Sequence, residues 1–310
     1  MELVRGLHNL RARHRGCAVT IGNFDGVHLG HRAMLERLCA HARRLGVPAT
    51  VLTFEPAPRE YFAPARAPAR LTRLREKLEL FAAAGVERCI VLRFEKRLQG
   101  MTGPAFAQEL LGERLQAKQV VVGTDFKFGA GGAADVALLQ KLSPAIGFGV
   151  EVVEPVLIDG ERVSSSAIRE ALAEGDLRHA ARMLGRPYAM HGKVIRGEGL
   201  GRKLGFPTAN MRVHRRVSPL DGIFAVRVRG IARQPLPGVA SLGTRPTVGG
   251  REVLLEAHVF DFDADLYGRW LAVEFVARLR EERKFESLEA MVVQMHVDSR
   301  QARVALGMTT

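Results

Sequence analysis

The sequence has no apolar run long enough to span a bilayer, so no membrane span is expected. It has only three cysteines, Cys17, Cys39 and Cys89, at no paired spacing, which argues against a disulfide framework. The arginine-bearing start, Met1 to Gly16, lacks the apolar core of a secretory signal. A reducing, cytoplasmic location is therefore expected. Acidic residues are also scarce: 33 Asp and Glu stand against 46 Lys and Arg, a formal net charge of +13. Such a balance suits anionic partners. The basic residues are spread without a long run, however, and aromatic content is only 6%. A nucleic-acid partner is therefore not expected, because neither a phosphate-tracking stripe nor a stacking platform is present. Anionic small molecules fit better, and nothing in the pattern specifies an oligomeric state.

With 310 residues, 47% of them apolar, the chain suits two domains that each bury a core. Up to about Glu154, short β-branched runs (Val19 to Ile21, Thr50 to Phe54, Cys89 to Leu92, Val120 to Val122, Val150 to Val153) alternate with helix-length segments starting near Gly30, Thr72 and Gly103. This alternation predicts an α/β domain with a doubly wound parallel sheet, whose ligands collect at the carboxyl ends of strands. Pro56 to Pro68 is expected to be a mobile loop. After two short helical patches, Gly185-Arg186-Pro187 breaks the chain. The expected domains are therefore 1–184 and 185–310. The second shows five strand-like runs between glycine and proline turns, from His191 to Leu279, which predicts an antiparallel β-barrel. A terminal helix, Ser287 to Leu306, follows with an apolar stripe of Leu288, Met291, Val292 and Met295.

Gly22-Asn23-Phe24-Asp25-Gly26-Val27-His28-Leu29-Gly30-His31 sets two histidines three residues apart where a strand gives way to a helix. Amides at a helix N-terminus donate to phosphate oxygens, and neighbouring imidazoles can donate to charge developing on a phosphoryl group. A bare H-x-x-H also fits a metal pair or a solvated helix start. Three further segments carry chemistry. Phe54-Glu55-Pro56-Ala57-Pro58 is a stiff turn that can wall a flat-ring pocket, and Val122 to Gly129 combines Asp125, Lys127, Phe126 and Phe128 after a strand. Ser164-Ser165-Ser166 precedes Arg169 by about one helical turn, placing capping hydroxyls near a guanidinium that can grip phosphate.

In the second half, Gly197, Gly199 and Gly201 lead through Arg202 and Lys203 to Pro207-Thr208-Ala209-Asn210. Glycines let backbone amides close on phosphate, and the spacing is not that of a Walker loop. Glu256 lies in an apolar strand and can accept a hydroxyl proton. The Asp261, Asp263, Asp265 cluster lacks the glycine and closing glutamate of a calcium loop and is expected to be a turn.

Gly22 to His31 resembles the H-x-G-H signature of the nucleotidylyltransferase superfamily in the form found in bacterial flavin adenylyltransferases. Phe54 to Pro58 is similar to that family's F-x-P-x-P stretch, Gly123 to Gly129 to its G-x-D-F-x-F-G segment, and Val163 to Arg169 to its I-S-S-T-x-I-R element. The chain departs from the family at Ala130 to Asp135, where basic residues are common. Gly197 to Asn210 resembles the riboflavin kinase signature. Together the two halves resemble a bifunctional bacterial riboflavin kinase and FMN adenylyltransferase.

That resemblance implies transfer of phosphate from ATP to riboflavin in the second domain. It implies transfer of AMP from ATP to FMN, releasing pyrophosphate, in the first. Catalytic roles then fall on His28, His31, Arg169 and Glu256. ATP and phosphate binding falls on Gly22, Asn23, Phe24, Gly30, Ser164, Ser165, Gly197, Gly199, Gly201, Arg202 and Lys203. Phe54, Pro56, Pro58, Asp125, Phe126 and Phe128 would line the flavin, and Thr208 and Asn210 would hold Mg2+.

Overall fold

The computed structural model describes residues 1–197, 201, 204–247 and 250–308. By its contacts the chain divides into two units: Met1–Pro68 with Thr72–Ser164, and Ala69–Leu71 with Ser165–Thr310.

The first unit is built on a six-stranded sheet in the order Glu2–Arg5, Arg88–Leu92, Ala49–Phe54, Ala18–Ile21, Gln119–Gly123, Gly149–Val153, every pair parallel. Ala18–Ile21 is buried throughout, as a strand between two covered faces must be, with separate apolar clusters on the two sides. The chain runs outward from this strand to Ala49–Phe54 and Arg88–Leu92, then returns to its other side at Gln119–Gly123. The topological switch point therefore lies between Ala18–Ile21 and Gln119–Gly123. The two segments leaving the carboxyl ends of those strands are Gly22 to His31 and Thr124 to Gly129.

Helix Leu29–Leu45 buries Leu35, Leu38, Cys39 and Ala42 at helical spacing and stops at Gly46, whose φ of 63° suits a glycine. Three features were not expected. Glu2–Arg5 is an edge strand defined by its pairing with Arg88–Leu92 rather than by apolar alternation. Helix Val136–Ile146 contains Pro144 and is capped by the Asp135 carboxylate, which accepts from Leu138 N at 3.1 Å. The expected mobile loop holds a short helix, Pro58–Phe62, begun by a proline in the first turn.

In the second unit, helices Ser165–Glu174 and Leu177–Leu184 precede a closed antiparallel barrel. Its strand order is Ala189–Ile195, Ala209–Arg212, Gly250–Val259, Leu236–Thr247, Gly222–Arg229, Trp270–Arg280. The sixth strand, Ala209–Arg212, was not among the five expected. It carries Asn210 and pairs with both Ala189–Ile195 and Gly250–Val259. The expected boundary at 184/185 and the contact division at 164/165 differ by the two helices. Leu177–Leu184 packs against barrel strand Trp270–Arg280, which ties it to the barrel. Helix Leu288–Ala305 is capped by Ser287 Oγ, which accepts from Ala290 N at 3.2 Å. Its fully buried positions are Asp298 and Ala302, while Leu288 of the expected stripe is half exposed. Among the described residues no helix is long and apolar enough to cross a membrane.

Candidate active sites

At the first site, His28 caps helix Leu29–Leu45 through Nδ1, which accepts from His31 N at 3.4 Å. The two imidazoles stack with centroids 3.6 Å apart at 21°, and Phe24 packs on His31 at 5.1 Å. A Cβ at Gly30 would lie 3.3 Å from His28 Cε1 and 3.7 Å from Val163 O. Glycine thus admits the ring and lets the chain leading to Ser164 pass close by. The first turn of the helix contains no acidic residue, leaving its amide end favourable to an anion.

Burial, then the neighbouring His28 and Lys77, holds the His31 imidazole well below the ordinary histidine range, so the ring is uncharged at neutral pH. His31 Nδ1 is buried with no hydrogen-bond partner among the described residues, a polar atom of the kind a bound group satisfies. The loop before the helix is strained: Phe24 and Val27 sit at φ 49° and 41°, a region that costs a non-glycine residue about 1–3 kcal/mol. It is tied down from the side. Thr72 Oγ1 accepts from Gly26 N at 2.8 Å, Thr72 N donates to Asp25 Oδ1 at 2.9 Å, and Lys77 Nζ donates to Asn23 O at 2.8 Å.

Phe54 ends its strand against Phe94, with Tyr61 and Phe62 packed on the same Phe94 ring at 5.4 and 5.5 Å. Phe62 is 55% exposed. This aromatic group extends the expected Phe54, Pro56 and Pro58 wall. Its other members were missed because they lie outside any motif, although three aromatics in a sequence this poor in them are a usable signal. Asp125 is exposed and paired with Arg162 at 2.8 Å. Phe126 stacks on Phe128 at 5.4 Å; Phe128 belongs to the core beside Phe106, so Phe126 is the ring with accessible surface. The Ala130 to Asp135 departure forms a turn, Ala130–Gly132, and then the short strand Ala134–Asp135 that pairs with Lys127–Phe128, with Gly131 and Gly132 at positive φ.

Ser164 lies in the first contact unit, Ser165 and Arg169 in the second. Arg169 donates from Nε to Ala69 O at 2.6 Å and from Nη1 to Ser165 O at 3.1 Å, both backbone carbonyls.

At the second site, Thr208, Asn210 and Glu256 line one cavity of about 500 Å³ together with Gly201, Phe206 and Ser241. Asn210 and Glu256 are direct partners across neighbouring strands. The nitrogen end of Asn210 contacts Thr208 Oγ1 at 3.4 Å, which directs its oxygen end elsewhere. A Cβ at Gly197 would lie 2.6 Å from Asn210 Cγ, and one at Gly201 would lie 3.3 Å from Thr208 Oγ1 while colliding with the Phe206 carbonyl. The two glycines therefore press backbone against the hydroxyl and the amide. Gly199, Arg202 and Lys203 lie outside the described residues. This cradle fits a magnesium ion, which takes hard oxygen donors and leaves the rest of its shell to phosphates and water. His258 Nδ1 lies 2.9 Å from Pro207 O; a carbonyl only accepts, so the ring donates there and fixes the residue before Thr208.

Sequence reasoning missed the cavity's other polar wall. Glu282 accepts from Ser241 Oγ at 3.0 Å, and its carboxylate occupies the space a Gly243 side chain would need. Arg280 grips buried Asp298 with two nitrogens, at 2.9 and 2.7 Å. The charged run Arg280-Glu281-Glu282-Arg283-Lys284 at a strand end was the available signal. Asp261 is held by Arg303 at 2.9 Å, and Asp265 accepts from Tyr267 N at 2.8 Å, so the aspartate cluster serves as the expected turn.

A parallel sheet whose switch point opens on a histidine-bearing helix start, followed by a barrel with an oxygen-lined cavity, defines a two-unit nucleotide-using transferase. The FAD synthetase family pattern matches residues 10–167 and the riboflavin kinase pattern residues 184–306. The chain belongs to the family of bifunctional riboflavin kinase/FMN adenylyltransferases. It is 46% identical to the protein of that name from Escherichia coli strain K12, over all of this chain and 99% of the relative. It is 46% identical to that from Haemophilus influenzae, over 98% of each. A solved structure titled a macrolide-efflux protein from Streptococcus pneumoniae superimposes with a TM-score of 0.81 at 28% identity, covering 98% of this chain and 99% of that one.

Proposed function

We propose that the second unit phosphorylates riboflavin with ATP to give FMN, and that the first transfers AMP from a second ATP to FMN, giving FAD and pyrophosphate. The observation that carries this reading is the placement of Thr208, Asn210 and Glu256 on one cavity wall. In the barrel, Glu256 accepts the proton of the ribityl hydroxyl as its oxygen attacks the γ-phosphorus and ADP leaves. Thr208 and Asn210 would hold Mg2+, which would supply charge neutralisation on the phosphates.

In the first unit, the attacking group is the FMN phosphate and the leaving group pyrophosphate. The first-turn amides of Leu29–Leu45 and the donors of His28 and His31 stabilise charge spreading over the α-phosphoryl oxygens. His31, uncharged at neutral pH, contributes as a hydrogen-bond donor. Ser164 takes part in holding the remaining phosphates. Phe54, Phe126 and the exposed Phe62 offer flat apolar surface to the isoalloxazine ring. A cytoplasmic setting accords with three buried, unpaired thiols.

Incubation with riboflavin, ATP and Mg2+, followed by chromatography of the flavins, tests both halves. FMN and FAD should appear in sequence. Failure to form FMN overturns the barrel assignment, and failure to convert supplied FMN overturns the adenylyl assignment.

A further inference from the structure

We propose that Lys77 is a positioning residue for adenylyl transfer, acting through the loop between Ala18–Ile21 and Leu29–Leu45 rather than on the substrate. The inference rests on the first unit being the adenylyl-transferring one.

Helix Leu74–Ala83 buries Glu76, Lys77 and Phe81. Lys77 is 4% exposed, at a position where an amphipathic helix ordinarily places an apolar side chain. A buried ammonium is costly unless its hydrogen bonds are made. Lys77 Nζ donates to Asn23 O at 2.8 Å. Five residues earlier, Thr72 holds two further residues of the same loop: its backbone N donates to Asp25 and its hydroxyl accepts from Gly26 N. One short stretch thus fixes three of four successive loop residues, Asn23, Asp25 and Gly26.

The loop needs such ties. Phe24 and Val27 both lie in the left-handed region, and a β-branched residue there is a genuine outlier that persists only where its surroundings impose it. The loop ends at His28. Its release would therefore move the cap, the stacked His31 and the first-turn amides together. Reaction geometry is sensitive to such displacements, since a shift of about 1 Å can cost roughly a hundredfold in rate. The titratable groups against His31 are His28, from its own helix start, and Lys77, from the neighbouring helix. Lys77 thus also helps to keep that ring uncharged.

The test is steady-state FMN adenylylation by the full-length chain, with riboflavin phosphorylation by the same preparation as the internal control. Lys77→Met should lower kcat for adenylylation by about tenfold or more while leaving KM values within about twofold. Its acid limb in the pH–rate profile should move to higher pH, because a cation repelling protonated His31 is gone. Lys77→Arg, which keeps a charged donor, should be clearly more active than Lys77→Met. Riboflavin phosphorylation should be unchanged in both. A Lys77→Met enzyme with kcat within about twofold of the parent, or an arginine variant no better than the methionine one, overturns the proposal. Should Lys77→Met fail to fold, Thr72→Val decides: a lowered adenylylation kcat with intact phosphorylation supports the clamp, and an unchanged kcat overturns it. A parent chain that makes no FAD would instead refute the assignment of the first unit.

Discussion

Asn210 and Glu256 sit directly opposite each other on adjacent antiparallel strands, so both side chains leave the sheet on the same face, with Cβ atoms roughly 5 Å apart. On its other side Glu256 faces Ser241, whose hydroxyl donates to Glu282. Three neighbouring strands thus present an amide, a carboxylate and a hydroxyl in one row along the cavity. The register of the barrel fixes how far the proposed cation-holding group stands from the proposed proton acceptor.

Glu256→Gln keeps the shape of this row and removes its proposed base. Riboflavin phosphorylation should fall by about 10²–10⁴-fold, while conversion of supplied FMN to FAD stays at the parental rate. Separate assays with riboflavin and with FMN check this, and a phosphorylation rate within a few-fold of the parent would refute the assignment.

Asp298 is buried, and its side chain keeps only 5% of its exposure against Arg280. Truncating one member of a buried ion pair strands the other charge, so Asp298→Ala should destabilise the barrel by about 3–5 kcal/mol. Denaturant unfolding would show this as a lower midpoint of the transition that abolishes phosphorylation. A midpoint unchanged by the substitution would mean the pair contributes nothing net.

Glu2 receives Arg88 Nε at 3.0 Å, with His14 at 3.0 Å and Arg13 at 3.2 Å. Arg88 foremost, then His14 and Arg13, pull its carboxyl down to about 2 from the ordinary 4.5, against an opposing push from burial. Because the folded value is the lower one, the ionised carboxylate stabilises the fold fully above about 4.5, and that contribution is lost as pH falls toward 2. Thermal unfolding of Glu2→Gln should therefore lie below the parent at pH 6, with the gap closing between pH 4.5 and 2. A gap independent of pH would refute the linkage.

Cys17, Cys39 and Cys89 are all buried, and burial raises each thiol, Cys17 to about 11 and Cys89 to about 12. None should react with iodoacetamide in the native protein at pH 7.5, and all three should react in denaturant, as mass spectrometry would show. Labelling of the native chain at Cys17 or Cys89 would contradict the packing.

Where local pattern and tertiary pairing coincide, the residues announce the structure. Ala18 to Ile21 is mostly β-branched and buried throughout because both faces are covered, and His28 caps a helix whose apolar period follows. Ala209–Arg212 was hidden because it is short and its strand character comes from its two neighbours in the barrel. Glu2–Arg5 was hidden for the same reason, since two of its four residues are charged. The pairings of His28 with His31 and of Thr208 with Asn210 were legible because residues two or three apart in the chain meet locally. Glu282, Lys77 and the Phe62–Phe94 contact were not, since each meets its partner only through distant folding. Phe128 shows the opposite failure: an aromatic inside a motif turned out to serve the core.

The backbone at Gly197 runs so close to Asn210 that one extra carbon there would have to push the amide aside. An alanine at 197 would consequently silence one reaction of the pair without altering a single reacting side chain. Such a chain would depend on FMN made elsewhere, uncoupling the two steps by the width of a methyl group.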